Sequence, residues 1–404
     1  MLRVPLARSV VAVIVAIALS LALPVSPASA AAAVPAKPGL VNYVGASLTS
    51  LTVDWADIPG ATSYYVYANT SHNLVTRPEQ PINQKVTSSK ATVAGLKPGV
   101  AYFIQVRGVS AAGMGPRSSP VAHETITAQA TLPAGSPSYL AVSWNVCSNV
   151  CSGFSMRKNV VNKRITELAP DIVALQEASK YTTPPSGYTF AYNGQNDILI
   201  RNGRFTRVAA KSGGATSGAV LFPSAYAGAG KGMSWAAVRH SSGAYLLIVD
   251  THLVVGTSAS AVRQREYEAG KLADSVTATL TKLNKTHRSL TDWTKAPVMI
   301  LGDFNTHKSR QGDGTMTVLE KRGWHDAYDQ ARTLSLQHYN TANPTMSLTP
   351  FTSVTWGDHI DKVLVRPSRS VVHSWKNAGK TAGGKWIGPL GSDHHPLAVR
   401  VALR

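Results

Sequence analysis

Cysteine is nearly absent. Only Cys147 and Cys151 occur in 404 residues, which excludes a disulfide-framed small scaffold and a four-cysteine zinc site. Acidic residues are also scarce: 21 Asp and Glu stand against 40 Lys and Arg, for a net charge of +19. That balance excludes an acidic, solvating chain and favours polyanionic partners. Aromatic residues reach only 7%, yet 44% of the chain is hydrophobic. A disordered chain is therefore excluded, and there is enough apolar material for more than one core. Past the first 30 residues no stretch is apolar enough to span a membrane as a helix.

The N-terminal 30 residues are the exception. Arg3 and Arg8 precede an apolar run from Val10 to Val25, then Ala28-Ser29-Ala30. This is the order of a charged region, an apolar region and a small-residue cleavage site. Ser20 and Pro24 interrupt the run, which is short for a span of about 20 residues. Residues 1–30 are expected to be a signal peptide and the mature protein to be secreted; a membrane anchor is the alternative. In an exported chain the two cysteines, four apart in CSNVC, are expected to pair and close a small loop. The alternative is two free thiols.

Residues 36–127 read as a separate all-β unit. Leu48–Trp55 and Tyr64–Tyr67 alternate, and Ala91–Tyr102 reads as a strand, a turn and a tyrosine entering the next strand. The combination of Trp55, Leu96-Lys97-Pro98-Gly99 and Tyr102 resembles a fibronectin type III domain. The resemblance implies an immunoglobulin-like sandwich with Tyr102 as a corner tyrosine whose hydroxyl returns to the backbone. Its functional reading is binding to a surface or polymer; its plain reading is a spacer. Residues 128–138 (AQATLPAGSPS) read as a short uncharged linker. Little contact between the flanking domains is expected.

Residues 139–404 alternate strand and helix patterns. Ser155–Leu168 and Ser258–Lys285 have helical spacing, and Ser335–Gly357 reads as a long loop. Several apolar runs end in polar groups. Leu140–Asn145 ends in an amide, Asp171–Glu177 in a carboxylate and Tyr245–His252 in a histidine. Asp358–Val365 begins with acids and a histidine, and Ser392-Asp393-His394-His395 leads into Leu397–Leu403. The clearest run is Pro297–His307, PVMILGDFNTH. Four consecutive apolar residues imply a strand buried on both faces. Gly302 permits a close backbone approach, and Asp303 and Asn305 project to one side while the chain stays extended. The pattern by itself supports a mixed α/β class.

Asn145, Gln176-Glu177, His252, Gly302-Asp303-Phe304-Asn305, Asp361 and Ser392-Asp393-His394 occur in the order and rough spacing of the endonuclease/exonuclease/phosphatase superfamily. That group includes pancreatic-type deoxyribonuclease, abasic-site endonucleases, inositol polyphosphate 5-phosphatases and neutral sphingomyelinases. The resemblance covers roughly residues 135–404. It implies a four-layer sandwich: two packed, mostly antiparallel sheets with helices outside.

Phosphodiester hydrolysis needs a cation for developing charge, a base for water and an acid for the leaving oxygen. Mg²⁺ or Mn²⁺, with Ca²⁺ as a further candidate, suits oxygen ligands. Glu177 is the expected principal ligand, with Asn145 and Asp393 beside it. Asp303 is expected to orient or deprotonate water, and Asn305 to donate to the phosphate. His394, held by Asp361, and His252, held by Asp197, are expected at the scissile phosphate; His307, His359 and His395 read as neighbours. Residues 131–404 hold 31 Lys and Arg against 17 Asp and Glu, which suits a nucleic acid substrate. Arg157, Lys158, Lys163, Arg201, Arg204, Arg207, Lys308 and Arg310 are candidate phosphate contacts. These residues point to a secreted, metal-dependent nuclease acting on DNA. A sphingomyelinase is the alternative on the same scaffold, and a non-catalytic surface-binding protein is the alternative of another class.

Overall fold

The structure is a computed structural model that describes residues 33–71, 82–210, 214–226, 228, 231–352 and 359–404. The expected signal peptide and Asp358 lie outside these residues. Among the described residues no helix is long and apolar enough to cross a membrane.

The N-terminal unit is a β-sandwich. Val41–Ala46, Ser50–Trp55 and Lys90–Ala94 form one sheet. Ile82–Val86, Ser63–Asn69, Ala101–Ser110 and Gly113–Met114 form the other, with Val121–Glu124 paired to Ala101–Ser110. Alternating residues such as Leu51, Val53 and Trp55 are buried between the sheets. The Tyr102 hydroxyl accepts from the Lys97 amide at 2.9 Å, so the corner expected from the sequence is present.

The C-terminal unit packs two sheets face to face. The first runs Tyr188–Tyr192, Asp197–Arg201, Ile172–Gln176, Ser138–Asn145, Leu397–Leu403, Ser370–Asn377, Thr333–Ser335. The second runs Phe205–Arg207, Gly232–His240, Tyr245–His252, Val298–Asp303, Asp361–Val365, His325–Asp326, with Ser217–Leu221 added on Gly232–His240. Most pairings are antiparallel. This is the four-layer arrangement implied by the family resemblance.

The apolar runs are consecutive because both faces of these strands are covered. Ile172, Ala174, Leu246, Ile248, Met299 and Leu301 face the opposite sheet. The intervening Val173 and Leu175 meet Val161 and Ile165 of the helix Phe154–Leu168. Leu247, Val249 and Ile300 meet Leu272, Val276 and Leu283 of the helix Ala259–His287. That second helix starts where Ser258 accepts from the Ala261 amide at 3.2 Å, a cap of about 1 kcal/mol.

Each helix is a crossover between parallel neighbours. Phe154–Leu168 joins Ser138–Asn145 to Ile172–Gln176, and Ala259–His287 joins Tyr245–His252 to Val298–Asp303. Parallel pairing puts the ends of both strands at one rim: Asn145 opposes Gln176, and His252 opposes Asp303. Antiparallel neighbours begin where those strands end, so Asp361 opposes Asp303 and Leu397 opposes Ser143.

Gly302 sits where the Tyr245–His252 strand comes closest: a Cβ there would lie 2.1 Å from the Thr251 carbonyl oxygen. Gly302→Ala should push the two strands apart and destabilise the fold by roughly 1–3 kcal/mol or more. A denaturant melt that leaves the midpoint unchanged would show that the strand has room to spare.

The expectation of little contact between domains is corrected. One buried apolar cluster runs from the sandwich core into the C-terminal unit. Tyr43 of the sandwich lies 5.2 Å, ring to ring, from Tyr328, which meets Trp375 edge-on at 4.9 Å. The residues after the sandwich also bind the second unit: Gln129 Nε2 donates to Gln330 O at 2.6 Å, and Ala130 N to Pro367 O at 2.8 Å. Periodicity identifies Tyr43 as an inward residue, but it does not say which core lies inward.

Candidate active site

The shared rim gathers the predicted residues into one cleft between the sheets. Parity explains which ones. Ala141, Ile172, Ile248, Leu301 and Val363 face the sheet-to-sheet core, so Asn145, Gln176, His252, Asp303 and Asp361, an even number of residues away along each strand, point the same way.

Asp303 is at the centre. Its Oδ2 accepts from Asn145 Nδ2 at 3.1 Å and lies 3.6 Å from His252 Nε2 and 3.8 Å from His394 Nε2. Its Oδ1 accepts from the Asn305 amide at 2.9 Å. The chain does not stay extended: Asn305 has φ 51°. This left-handed turn, costing on the order of 1–3 kcal/mol, brings Asn305 back into the cleft. There Nδ2 donates to Leu253 O at 3.0 Å and lies 3.2 Å from His252 Nε2.

Glu177 also has positive φ, 52°, so it leaves its strand and turns toward Asn145. Asn145 Nδ2 donates to Glu177 Oε1 at 3.0 Å, while Asn145 Oδ1 accepts from the Cys147 amide at 2.9 Å. The second carboxylate oxygen of Glu177 is buried without a hydrogen-bond partner. A buried, orphaned carboxylate oxygen calls for a cation, so these residues fit the hard divalent metal that the family resemblance implies. Asp393 stands apart: its Oδ1 accepts from Ser392 Oγ at 3.0 Å, and a carboxylate oxygen lies within 4.8 Å of the cysteine sulfurs. Ser392 links it indirectly to Asn145, donating to that backbone carbonyl at 2.7 Å.

Both histidines are buried, with opposite outcomes. Burial alone would lower the pKa of His394. The Asp361 carboxylate, 2.9 Å from its Nδ1, overrides that penalty, with help from Asp303 and Asp393, and raises it to about 10. His252 has no such partner; burial dominates over the nearby Asp303 and lowers it to about 4. At neutral pH the site therefore holds one imidazolium and one neutral imidazole. Asp303, Asp361 and His394 also place ligand atoms within 4.8 Å of one another. Asp361 is taken up by His394 Nδ1, whereas Glu177 has an unpartnered oxygen, so Glu177 is the better anchor.

Several expectations need correction. Asp197 does not orient His252: it accepts from Asn193 Nδ2 at 3.0 Å and Gly194 N at 2.6 Å. The carboxylate facing His252 Nδ1 is Glu177, at 3.9 Å. Arg157 is no phosphate contact; its guanidinium donates to the carbonyls of Val146, Cys147, Cys151, Ser152 and Gly391 and ties down the loops behind the site. Arg204 pairs with Asp171 and Arg201 with Ala169 O, at the far end of the Ile172–Gln176 strand. Lys308 is enclosed by Glu124, Glu320 and Asp329. Arg310 stays near the site, donating to Asn305 O at 2.8 Å.

Cys147 and Cys151 are disulfide-bonded. Alkylation of unreduced protein followed by mass measurement should show no free thiol, and two after reduction; two labelled thiols without reductant would refute the pairing.

Sequence reasoning missed Asp250 and Lys231. Asp250 Oδ1 accepts from Gln176 Nε2 at 2.7 Å, stapling the two sheets directly beneath Glu177 and His252. Its position two residues before His252 was the available signal. Lys231 lines a cleft of about 370 Å³ beside His252, with Tyr192, Asn196, Leu221 and Ser234. It lies in a turn-rich stretch without a pattern to mark it.

A β-sandwich followed by a four-layer α/β unit, with acids, amides and two histidines at one rim, defines a phosphoester hydrolase architecture. Residues 142–394 match the Endonuclease/Exonuclease/phosphatase family and residues 36–124 the Fibronectin type III domain. The chain belongs to the endonuclease/exonuclease/phosphatase family. It is similar to a solved endonuclease/exonuclease/phosphatase family protein from Bacteroides thetaiotaomicron, at 17% identity and TM-score 0.50, over 66% of this chain and 96% of that one. It is also similar to a mannosyl-6-phosphatase from Bacteroides thetaiotaomicron VPI-5482, at 17% identity and TM-score 0.48, over 65% and 98% of the two chains. Fibronectin type III domain-containing protein 7 of Mus musculus is 33% identical over 165 residues, 38% of this chain. The match spans only 21% of that protein's length.

Proposed function

We propose that this protein is a secreted, divalent-metal-dependent phosphodiesterase, a nuclease that hydrolyses DNA without strong sequence preference. The observation that carries the reading is Asp303 set 3.6 Å from His252 and 3.8 Å from His394, with the orphaned Glu177 oxygen alongside. Glu177 would hold Mg²⁺ or Mn²⁺, with Asn145 fixing its carboxylate and Asp393 nearby. When bound, the cation would neutralise charge building on the phosphate.

The chain's own residues supply the rest. Asp303 accepts a proton from, or orients, the attacking water. Neutral His252, its Nε2 beside Asn305, offers an acceptor in the same space, and Asn305 can turn one N–H from His252 to a phosphate oxygen. The His394 imidazolium faces the phosphate as a charge-assisted donor, and Asp361 keeps it protonated and oriented. Lys231 adds positive charge to the cleft beside His252. The overall cationic surplus suits a polyanion and sets no base preference.

Purified protein should cut plasmid DNA with Mg²⁺ and lose that activity with chelator. Turnover of sphingomyelin or inositol phosphates with intact DNA would overturn the nuclease reading. The sphingomyelinase alternative has one observation in its favour: Leu221, 80% exposed, lines the cleft. Vesicle binding lost on Leu221→Ser would support it. No hydrolysis of any phosphoester would leave the surface-binding alternative.

A further inference from the structure

The residues that carry Asp303 and Asn305 do not end in solvent. They run on through Thr306 and His307, both buried, to Lys308 and Ser309, and these two are gripped by the sandwich domain. Lys308 Nζ donates to Glu124 Oε2 at 2.5 Å, and Ser309 Oγ accepts from the Ala122 amide at 2.9 Å. Glu124 and Ala122 belong to the last sandwich strand, Val121–Glu124. Glu124 is fully buried. Its other oxygen pairs with His325 Nδ1 at 2.6 Å, and its backbone amide donates to Asp329 Oδ1 at 3.3 Å. Asp329 and Glu320 take the remaining charge of Lys308, at 2.5 and 2.8 Å.

A second route reaches the opposite side of the site. Tyr43 and His123 of the sandwich stack at 4.4 Å, and Tyr43 packs on Tyr328. Tyr328 packs at 4.4 Å on His359, two residues before Asp361. The intervening Ile360 carbonyl accepts from the Phe304 amide at 2.9 Å. The two segments that deliver Asn305 and Asp361 are therefore tied to each other and both rest on the sandwich.

We propose that the sandwich domain is a working part of the active site, with Glu124 as a positioning residue that acts through Lys308 to hold the 304–310 segment. A spacer would need none of this. A buried ion cluster across a domain boundary is costly to leave half-made, so the contact is strong in one geometry and poor in any other. Fixing this short segment matters because displacement of a positioned group by about 1 Å can cost on the order of 100-fold in rate.

The test uses the full-length protein. Glu124→Ala should raise amide exchange in peptides covering 304–310 by about tenfold or more, while peptides covering 172–176 keep wild-type protection. On the hydrolase reading above, kcat should fall by about tenfold or more, with KM changed by less than about threefold. Glu124→Gln keeps the shape and an acceptor for Lys308, so it should recover most of both. Unchanged exchange in 304–310 would overturn the proposal. So would a kcat loss that matches only the unfolded fraction. Should Glu124→Ala fail to fold, Ser309→Ala, which removes the acceptor for the Ala122 amide, carries the exchange measurement: raised exchange in 304–310 supports the sandwich's hold on the segment, and wild-type exchange there overturns it. Should the wild-type protein hydrolyse nothing, the functional reading fails, and the exchange result alone still decides whether Glu124 holds the segment.

Discussion

Glu177→Ala should remove hydrolysis almost completely, by roughly 10³-fold or more, while the protein still folds. The loss follows from what the carboxylate does in the cleft. One oxygen is held by Asn145, and the other is buried and unpartnered, so the residue is placed for a cation. The folding cost should be small, since only the side chain is lost. Alanine must still adopt φ 52°, which costs about 1–2 kcal/mol more than a right-handed residue. Mg²⁺ titration by calorimetry should show weakened binding, and circular dichroism should be unchanged. Activity within a few-fold of wild type at saturating Mg²⁺ would refute the assignment.

Asp361→Asn should lower activity by orders of magnitude, nearly as far as His394→Ala. The carboxylate is what keeps the buried imidazole charged. Without it burial is opposed only by the weaker pull of Asp303 and Asp393, and the pKa falls from its wild-type position. The direction sets the pH profile. In the wild-type protein the imidazolium persists up to about pH 10, and His252 stays neutral down to about pH 4. A rate that needs both should be flat between those limits. In Asp361→Asn the alkaline limb should move to lower pH, and the acid limb should stay. The amide also favours the wrong tautomer, so lowering the pH should not restore the full rate. The double variant should be little worse than His394→Ala, because residues that act as one unit are not additive. Mg²⁺ affinity should change far less than with Glu177→Ala. Multiplicative losses with an unshifted His394 resonance would mean that the two residues do not act as a pair.

Much of the site was legible because strands obey a period of two and end abruptly. The runs before Asn145, Glu177 and His252, and the run before Gly302-Asp303, announce buried strands with polar termini. Their order supplied the family resemblance, and the structure brings Asn145, Glu177, His252, Asp303, Asn305, Asp361 and His394 to one rim. The loop expected over Ser335–Gly357 was legible as far as residue 352, beyond which 353–357 lie outside the described residues: it has no periodicity, and it lies against His394 through the Ala342 bridge. Charge was the weakest guide. Arg157 and Lys308 looked like phosphate contacts because sequence records that a residue is cationic and not what surrounds it. The first is spent on loop carbonyls, and the second on carboxylates from two domains.

The sequence by itself determined the two domains' classes, the helices, the buried strands and the set of groups available for chemistry, because hydrophobic period and chain breakers are local properties. Tertiary structure decided the rest. Parallel pairing through two helical crossovers set which strand ends meet. Left-handed turns at Glu177 and Asn305 aimed side chains that an extended chain would have sent elsewhere. Burial with or without a hydrogen-bonded carboxylate shifted the two histidines in opposite directions. The docking of Val121–Glu124 onto Lys308 and Ser309 tied the sandwich to the segment that carries Asn305. Each depends on contacts between residues far apart in the chain, and the local pattern of hydrophobic and polar residues does not encode those partners.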